Sequence, residues 1–357
     1  MRGRGDRLER QLAERELDRM LVTDLTNVRY LTGFTGTNGA CVCGPGVRLF
    51  LTDFRYTERA AAEVEGWETL TITADWLGGI AERLEGRVGF EDDQMSVRLL
   101  EKLKEKLADG VEMVAAGGVV EKLRRVKDEG ELAAIHEASK LADEVWGWSL
   151  ERGLAGRTER DVARAAEARI REHGGNPSFP AIVAAGPNGA LPHAEPSERE
   201  IGRGELVVFD MGAKLDGYCS DGTRTFATGE IGEEDRAVYE AVLQAQLAAL
   251  EAIRAGVKGE DVDGVARKVI DDAGHGDHFG HGLGHGVGLE VHEGPRLSLR
   301  SDDVLAPGEV VTVEPGIYLP GRVGVRIEDL VVVTEEGLRN LSSLPKALEV
   351  GSYSPEY

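Results

Sequence analysis

Cysteine is nearly absent. Cys41, Cys43 and Cys219 are the only three in 357 residues, and no CxxC pair occurs. So sparse and odd a set cannot supply the disulfide framework of a small secreted domain. Cys41 and Cys43 would share one face of a strand, too close in sequence for an easy bridge. All three read as small buried hydrophobes in a reducing cytosol. Cations are also in deficit, with 42 Lys and Arg against 64 Asp and Glu, a formal net charge of −22. Such a charge repels phosphate, which argues against nucleic acid and anionic membrane as partners. No run approaches the ~18 apolar residues of a membrane-spanning helix. The opening MRGRGDRLERQLAER is charged and has no apolar secretion segment. A cytoplasmic location is expected. Low-complexity tracts and short repeats are missing too.

What remains is a length sufficient for two domains, each with its own core. In the first part, helical and strand-like periods alternate. A helix is expected over residues 6–19, followed by strands at 20–23, 28–31, 39–42 and 47–52. Helical periods at 53–65, 75–85 and 96–108 then enclose short strands at 88–90 and 111–115. This pattern predicts an α/β layer domain over residues 1–121, with Gly117-Gly118 as the joint. Longer helices follow at 128–152, 158–173, 233–255 and 260–273, with Thr158 as one N-cap and Asp128 with Glu131 as a capping pair. Strand-like segments at 181–185, 205–211, 218–228, 309–314 and 323–334 lie between them. Residues 122–357 therefore read as a second domain, of α+β class. The tail after Ala347 looks loosely held.

Five of the eight histidines, His275, His278, His281, His285 and His292, fall within one glycine-rich stretch, HFGHGLGHGVGLEVHE and its approach. Imidazole is both a common metal ligand and a common acid or base near neutral pH. Clustering this dense marks a site, and the interleaved glycines suggest backbone drawn close to whatever is bound. Spacing alone does not choose between His281 and His285.

The carboxylates are more telling. In ELVVFDMGAKLDGYCSDGTRTF an apolar run ends in Asp210, and Asp216-Gly217 is a strong two-residue hairpin signal. A turn closed there sets Leu215 opposite Tyr218 and Asp210 opposite Thr223. Asp221 shares the face of Thr223, making the two aspartates diagonal neighbours about 7 Å apart. A second hairpin, EVVTVEPGIYLPGRVGVRIED, closes around Pro320-Gly321-Arg322 and places Glu314 opposite Glu328, with Arg326 on the same face. Like charges this close demand a cation between them. Four carboxylates and one imidazole could hold two divalent ions about 3.5–4 Å apart. The oxygen-rich set favours Mn²⁺ or Co²⁺, with Zn²⁺ also compatible.

The order Asp, Asp, His, Glu, Glu carried in these motifs closely resembles the M24 metallopeptidases of pita-bread fold, in the branch of Xaa-Pro dipeptidases (prolidases) and aminopeptidases P. YLTGFTGTNGA and LFLTDFRYTERA resemble that branch's creatinase-like N-terminal domain. The resemblance implies Asp210, Asp221, His285, Glu314 and Glu328 as metal ligands. It also implies Glu314 as proton shuttle, and His193 and His292 as catalytic groups beside the scissile bond. Arg326 is expected to hold a ligand carboxylate. The implied substrate is a small peptide with proline at the second position. Arg296, with Arg300 as rival, would take the C-terminal carboxylate of a dipeptide. Removal of one residue from longer Xaa-Pro peptides is the alternative activity, and a non-catalytic metal- or peptide-binding scaffold a more distant one. A homodimer, with the N-terminal domain helping to cover the partner's site, is implied as well.

Overall fold

The computed structural model describes residues 3–349, and the chain divides into two units between Arg124 and Arg125. The N-terminal unit is built on a six-stranded mixed sheet ordered Glu68–Thr71, Val47–Thr52, Ala40–Gly44, Arg19–Val22, Arg87–Phe90 and Glu112–Ala115. Its core gathers Leu21, Val42, Leu51, Ile80, Val88 and Leu103. Cys41 and Cys43 lie buried and unpaired in strand Ala40–Gly44.

Two expectations for this unit need correction, and one strand was not expected. Residues 28–31 are not a strand but lie in helix Leu25–Thr32. Asp24 caps that helix by accepting from the Asn27 amide, and Gly33 ends it in left-handed conformation at φ 85°. Two strong end signals outweigh the β preference of Val28 and Tyr30. The first helix, Arg4–Glu14, stops short of residue 19, because Glu16 takes φ 55° and turns the chain into Arg19–Val22. Glu68–Thr71 is a strand that polar, exposed side chains conceal in the sequence.

In the C-terminal unit the long helices fall where expected. Glu129–Glu151 begins in a capping box of Asp128 and Glu131, and Glu159–Glu172 is capped by the Thr158 hydroxyl. Glu233–Ala252 and Gly259–Asp272 form the second pair. Each pair backs its own sheet. Val145, Trp146, Val162 and Ile170 pack with Val183, Val207 and Phe209, while Val242, Ala249, Val262 and Ile270 pack with Val311, Val313 and Val331. The first sheet sets Leu206–Asp210 between Ile182–Ala185 and Thr223–Ala227. The second runs Glu293–Leu297, Gly284–Gly286, Val310–Val313, Asp329–Val333 and Leu338–Asn340. The strands expected at 218–228 and 323–334 are each broken, the first between Cys219 and Thr223, the second between Arg326 and Asp329. Asp221 and Glu328 occupy the breaks, where the ladder gives way to side-chain chemistry. Leu348 is buried and its carbonyl accepts from the Ala227 amide; residues 350–357 of the expected loose tail lie outside the described residues. No described helix is long and apolar enough to cross a membrane.

Candidate metal centre

Asp216 and Gly217 both take positive φ, at 46° and 81°. The tight turn they form fixes Leu215 opposite Tyr218 and Asp210 opposite Thr223, the register the sequence predicts. The second hairpin also keeps its predicted register, pairing Leu319 with Val323 and Gly316 with Arg326, and the neighbouring ladder pairs Val313 with Asp329. Glu314 and Glu328 sit between these two ladders.

The two hairpins and strand Gly284–Gly286 converge. Atoms of Asp210, Asp221 and Glu328 lie within 4.8 Å of one another, as do those of His285, Glu314 and Glu328. A third such group joins Asp221 and His285 to His292. His285 Nε2 is 3.5 Å from both Asp221 and Glu314. Its Nδ1 donates to the Gly286 carbonyl at 3.0 Å, which leaves the Nε2 lone pair facing the carboxylates. Burial pushes this imidazole down to about 3, so it is neutral. His281 belongs to none of these groups. Its Nδ1 donates to Gly282, and its Nε2 accepts from the Tyr318 hydroxyl at 2.9 Å. His275 and His278 stand 6.0 Å apart, ring to ring, away from the cavity wall.

Charge in the cluster is badly balanced. Burial first, and then mutual repulsion, raises Asp221 and Glu328 well above the usual carboxylate range and Glu314 to about 8. Asp210 is also raised by burial, against the pull of Arg326. Arg326 donates to Asp210 at 2.6 Å, to Thr223 Oγ1 at 3.1 Å, to Tyr318 at 2.8 Å and to the Pro192 carbonyl at 3.2 Å. It is the one cation paired with this cluster among the described residues. Asp210 Oδ1 and Glu328 Oε1 are buried with no hydrogen-bond partner. Orphaned carboxylate oxygens, excess negative charge and a neutral imidazole form a donor set that fits divalent cations.

All five residues line one cavity of about 450 Å³, together with His193, His281, His292, Arg296 and Arg326. Phe179, Ile182 and Pro192 add apolar wall. Arg300 does not line it. The glycines of the histidine stretch serve a purpose other than the one expected. A Cβ on Gly284 would lie 2.0 Å from the Thr312 carbonyl oxygen, and one on Gly286 2.0 Å from that of Gly294. They let neighbouring backbone close in on the strand that carries His285.

Several supporting residues escape the sequence reading. The Thr223 hydroxyl donates to Glu328 at 2.7 Å, and Thr312 Oγ1 accepts from the His285 amide and donates to Glu314 at 3.3 Å. Asp263 accepts from the Leu283 amide, while Arg267, paired with Asp263, donates to the Phe279 and His281 carbonyls. In sequence these two are an ordinary i, i+4 acid–base pair. Tyr318 becomes recognisable only once its strand register with Arg326 is known.

Three buried carboxylates and a half-buried fourth around a neutral imidazole, on a domain of two helix-backed sheets, form a cluster that could hold divalent cations. The chain belongs to metallopeptidase family M24, whose pattern matches residues 133–335, and the creatinase/prolidase N-terminal domain matches residues 4–126. It is 36% identical to an Xaa-Pro dipeptidase of Pyrococcus furiosus over 98% of this chain and all of that one. Among solved structures, an Xaa-Pro dipeptidase from Bacillus anthracis superposes with a TM-score of 0.94 at 39% identity, covering 97% of this chain and 98% of that one. An X-Pro aminopeptidase from Thermotoga maritima superposes with a TM-score of 0.88 at 35% identity, covering 94% and 99%.

Proposed function

We propose that the chain is a dinuclear-metal Xaa-Pro dipeptidase, hydrolysing the bond that precedes proline. The observation that carries this reading is the shell of four carboxylates and one imidazole, all but the half-buried Glu314 being buried, in a cavity with Arg296 on its wall. Asp210, Asp221, His285, Glu314 and Glu328 would hold the two ions, with Mn²⁺ or Co²⁺ favoured by the oxygen-rich set and Zn²⁺ compatible with it. Bound ions of this kind polarise the scissile carbonyl and acidify water.

The remaining work falls to the chain itself. Glu314 takes a proton from the attacking water and delivers it to the prolyl nitrogen as the bond breaks. His193 and His292 donate hydrogen bonds to the substrate's carbonyl oxygen as charge develops there. Arg326 keeps Asp210 in place. Arg296 lines the cavity and only its backbone amide bonds Asp303, so its guanidinium is placed to take the C-terminal carboxylate of a dipeptide. The similarity to an X-Pro aminopeptidase supports a second reading, in which longer peptides lose one N-terminal residue. A cytoplasmic homodimer completes the proposal, and light scattering tests the assembly.

The deciding experiment compares Ala-Pro with Ala-Pro-Ala on protein loaded in turn with Mn²⁺, Co²⁺ and Zn²⁺. Preference for Ala-Pro is expected. Preference for the tripeptide would favour the second reading, and cleavage of neither would sink both.

A further inference from the structure

Glu159, the first residue of helix Glu159–Glu172, is fully buried at 0% exposure. It forms no ion pair among the described residues; the nearby Arg199 is engaged with Glu205. Its carboxylate is instead ringed by neutral donors. Oε1 accepts from the Ala185 amide at 2.8 Å and Asn188 Nδ2 at 3.0 Å. Oε2 accepts from the Ser197 amide at 3.0 Å and the Ser197 hydroxyl at 2.7 Å. A buried charge is costly unless hydrogen bonds satisfy it, and such bonds are the strong kind.

The four donors lie at the two ends of one loop. Between them, Leu191-Pro192-His193-Ala194 forms a turn closed by the Ala194 amide on the Leu191 carbonyl at 3.1 Å. His193 sits at its third position and lines the metal cavity. Asn188 also donates to Ser197 Oγ at 3.3 Å, tying the loop ends to each other. Among the described residues the His193 side chain has no hydrogen bond, so its position follows from the loop that bears it.

We infer that Glu159 is a positioning residue for the hydrolysis, clasping both ends of the 185–197 loop so that His193 is presented to substrate. The inference rests on the reading of His193 as a group that acts on substrate. Misplacing a catalytic group by about 1 Å can cost on the order of 10²-fold in rate.

The test is a double-mutant cycle on metal-loaded full-length protein with Ala-Pro as substrate. E159A is expected to lower kcat about 10²-fold with little change in KM, and to keep its full metal content by elemental analysis. E159Q, which retains one acceptor oxygen, should recover part of the loss. In an H193A background, E159A should cost less than about 3-fold more, because the group being positioned is gone. Persistence of the whole loss in H193A would overturn the inference, as would loss of metal from E159A, which would place the effect on the Asp210 side. Wild-type turnover by H193A itself would instead remove the reading of His193, and the inference with it. Should E159A fail to fold, S197A and N188A take its place. Each is expected to lower kcat about 5-fold, and the same loss in H193A would count against the proposal.

Discussion

Thr223 and Glu328 are joined twice. The Glu328 amide donates to the Thr223 carbonyl at 3.0 Å, and the Thr223 hydroxyl donates to Glu328 Oε2 at 2.7 Å. One residue thus fixes both the backbone and the carboxylate of a proposed ligand that stands where its own strand breaks. Replacing Thr223 with valine keeps the shape and removes the hydroxyl. Metal affinity is expected to fall about 10- to 100-fold, while T223S stays near wild type. Calorimetric metal titration of the two variants checks this.

Chelation should change how stability responds to pH. Without cations, Glu314 is pushed up to about 8 by burial, and Asp221 and Glu328 are raised as well. The folded state then holds protons that the unfolded chain releases near 4.5. The contribution of these groups to the stability of the metal-free protein is therefore greatest below the unfolded value and declines as pH rises towards about 8. With ions bound the carboxylates are already ionised, so this decline should vanish and proton release should accompany loading. Melting temperatures of chelated and loaded protein between pH 5 and 9 give the comparison. Parallel curves would refute the account.

Glu314→Gln removes a proton acceptor without changing the size of the side chain. A fall in kcat of about 10²- to 10⁴-fold is expected. Hydrolysis at the wild-type rate, on protein shown to carry its metal, would strip Glu314 of the shuttle role.

Arg296 and Arg300 can be separated. R296M should raise KM for Ala-Pro about 10-fold or more, the loss expected for a charge-assisted bond. The change should be much smaller for Ala-Pro-NH₂, which lacks the carboxylate. R300M, outside the cavity wall, should leave both substrates untouched. Equal effects of R296M on acid and amide would mean that the arginine reads something else.

The candidate metal centre was unusually open to sequence reasoning because turns are local. Asp216-Gly217 and Pro320-Gly321-Arg322 set the registers, and the registers decide which carboxylates meet. The same reasoning failed at residues 28–31, where the Asp24 cap and Gly33 impose a helix on β-favouring side chains. It also failed at Glu68–Thr71, whose pairing depends on a neighbour rather than on its own pattern. Supporting side chains were hidden for a related reason. Tyr318, Arg267 and Glu159 acquire meaning only through what distant segments place against them.

The proposed ligands come from chain segments far apart in sequence, from Asp210 and Asp221 through His285 to Glu314 and Glu328. A bound ion pair would therefore act on the unfolded ensemble as a removable cross-link, closing loops whose entropy is otherwise recovered on unfolding. Free metal at 100 times its dissociation constant would add about 2.7 kcal/mol per site. Under that proposal, metal supply would govern persistence as well as turnover, and a cell short of the ion would hold a chain more exposed to proteolysis.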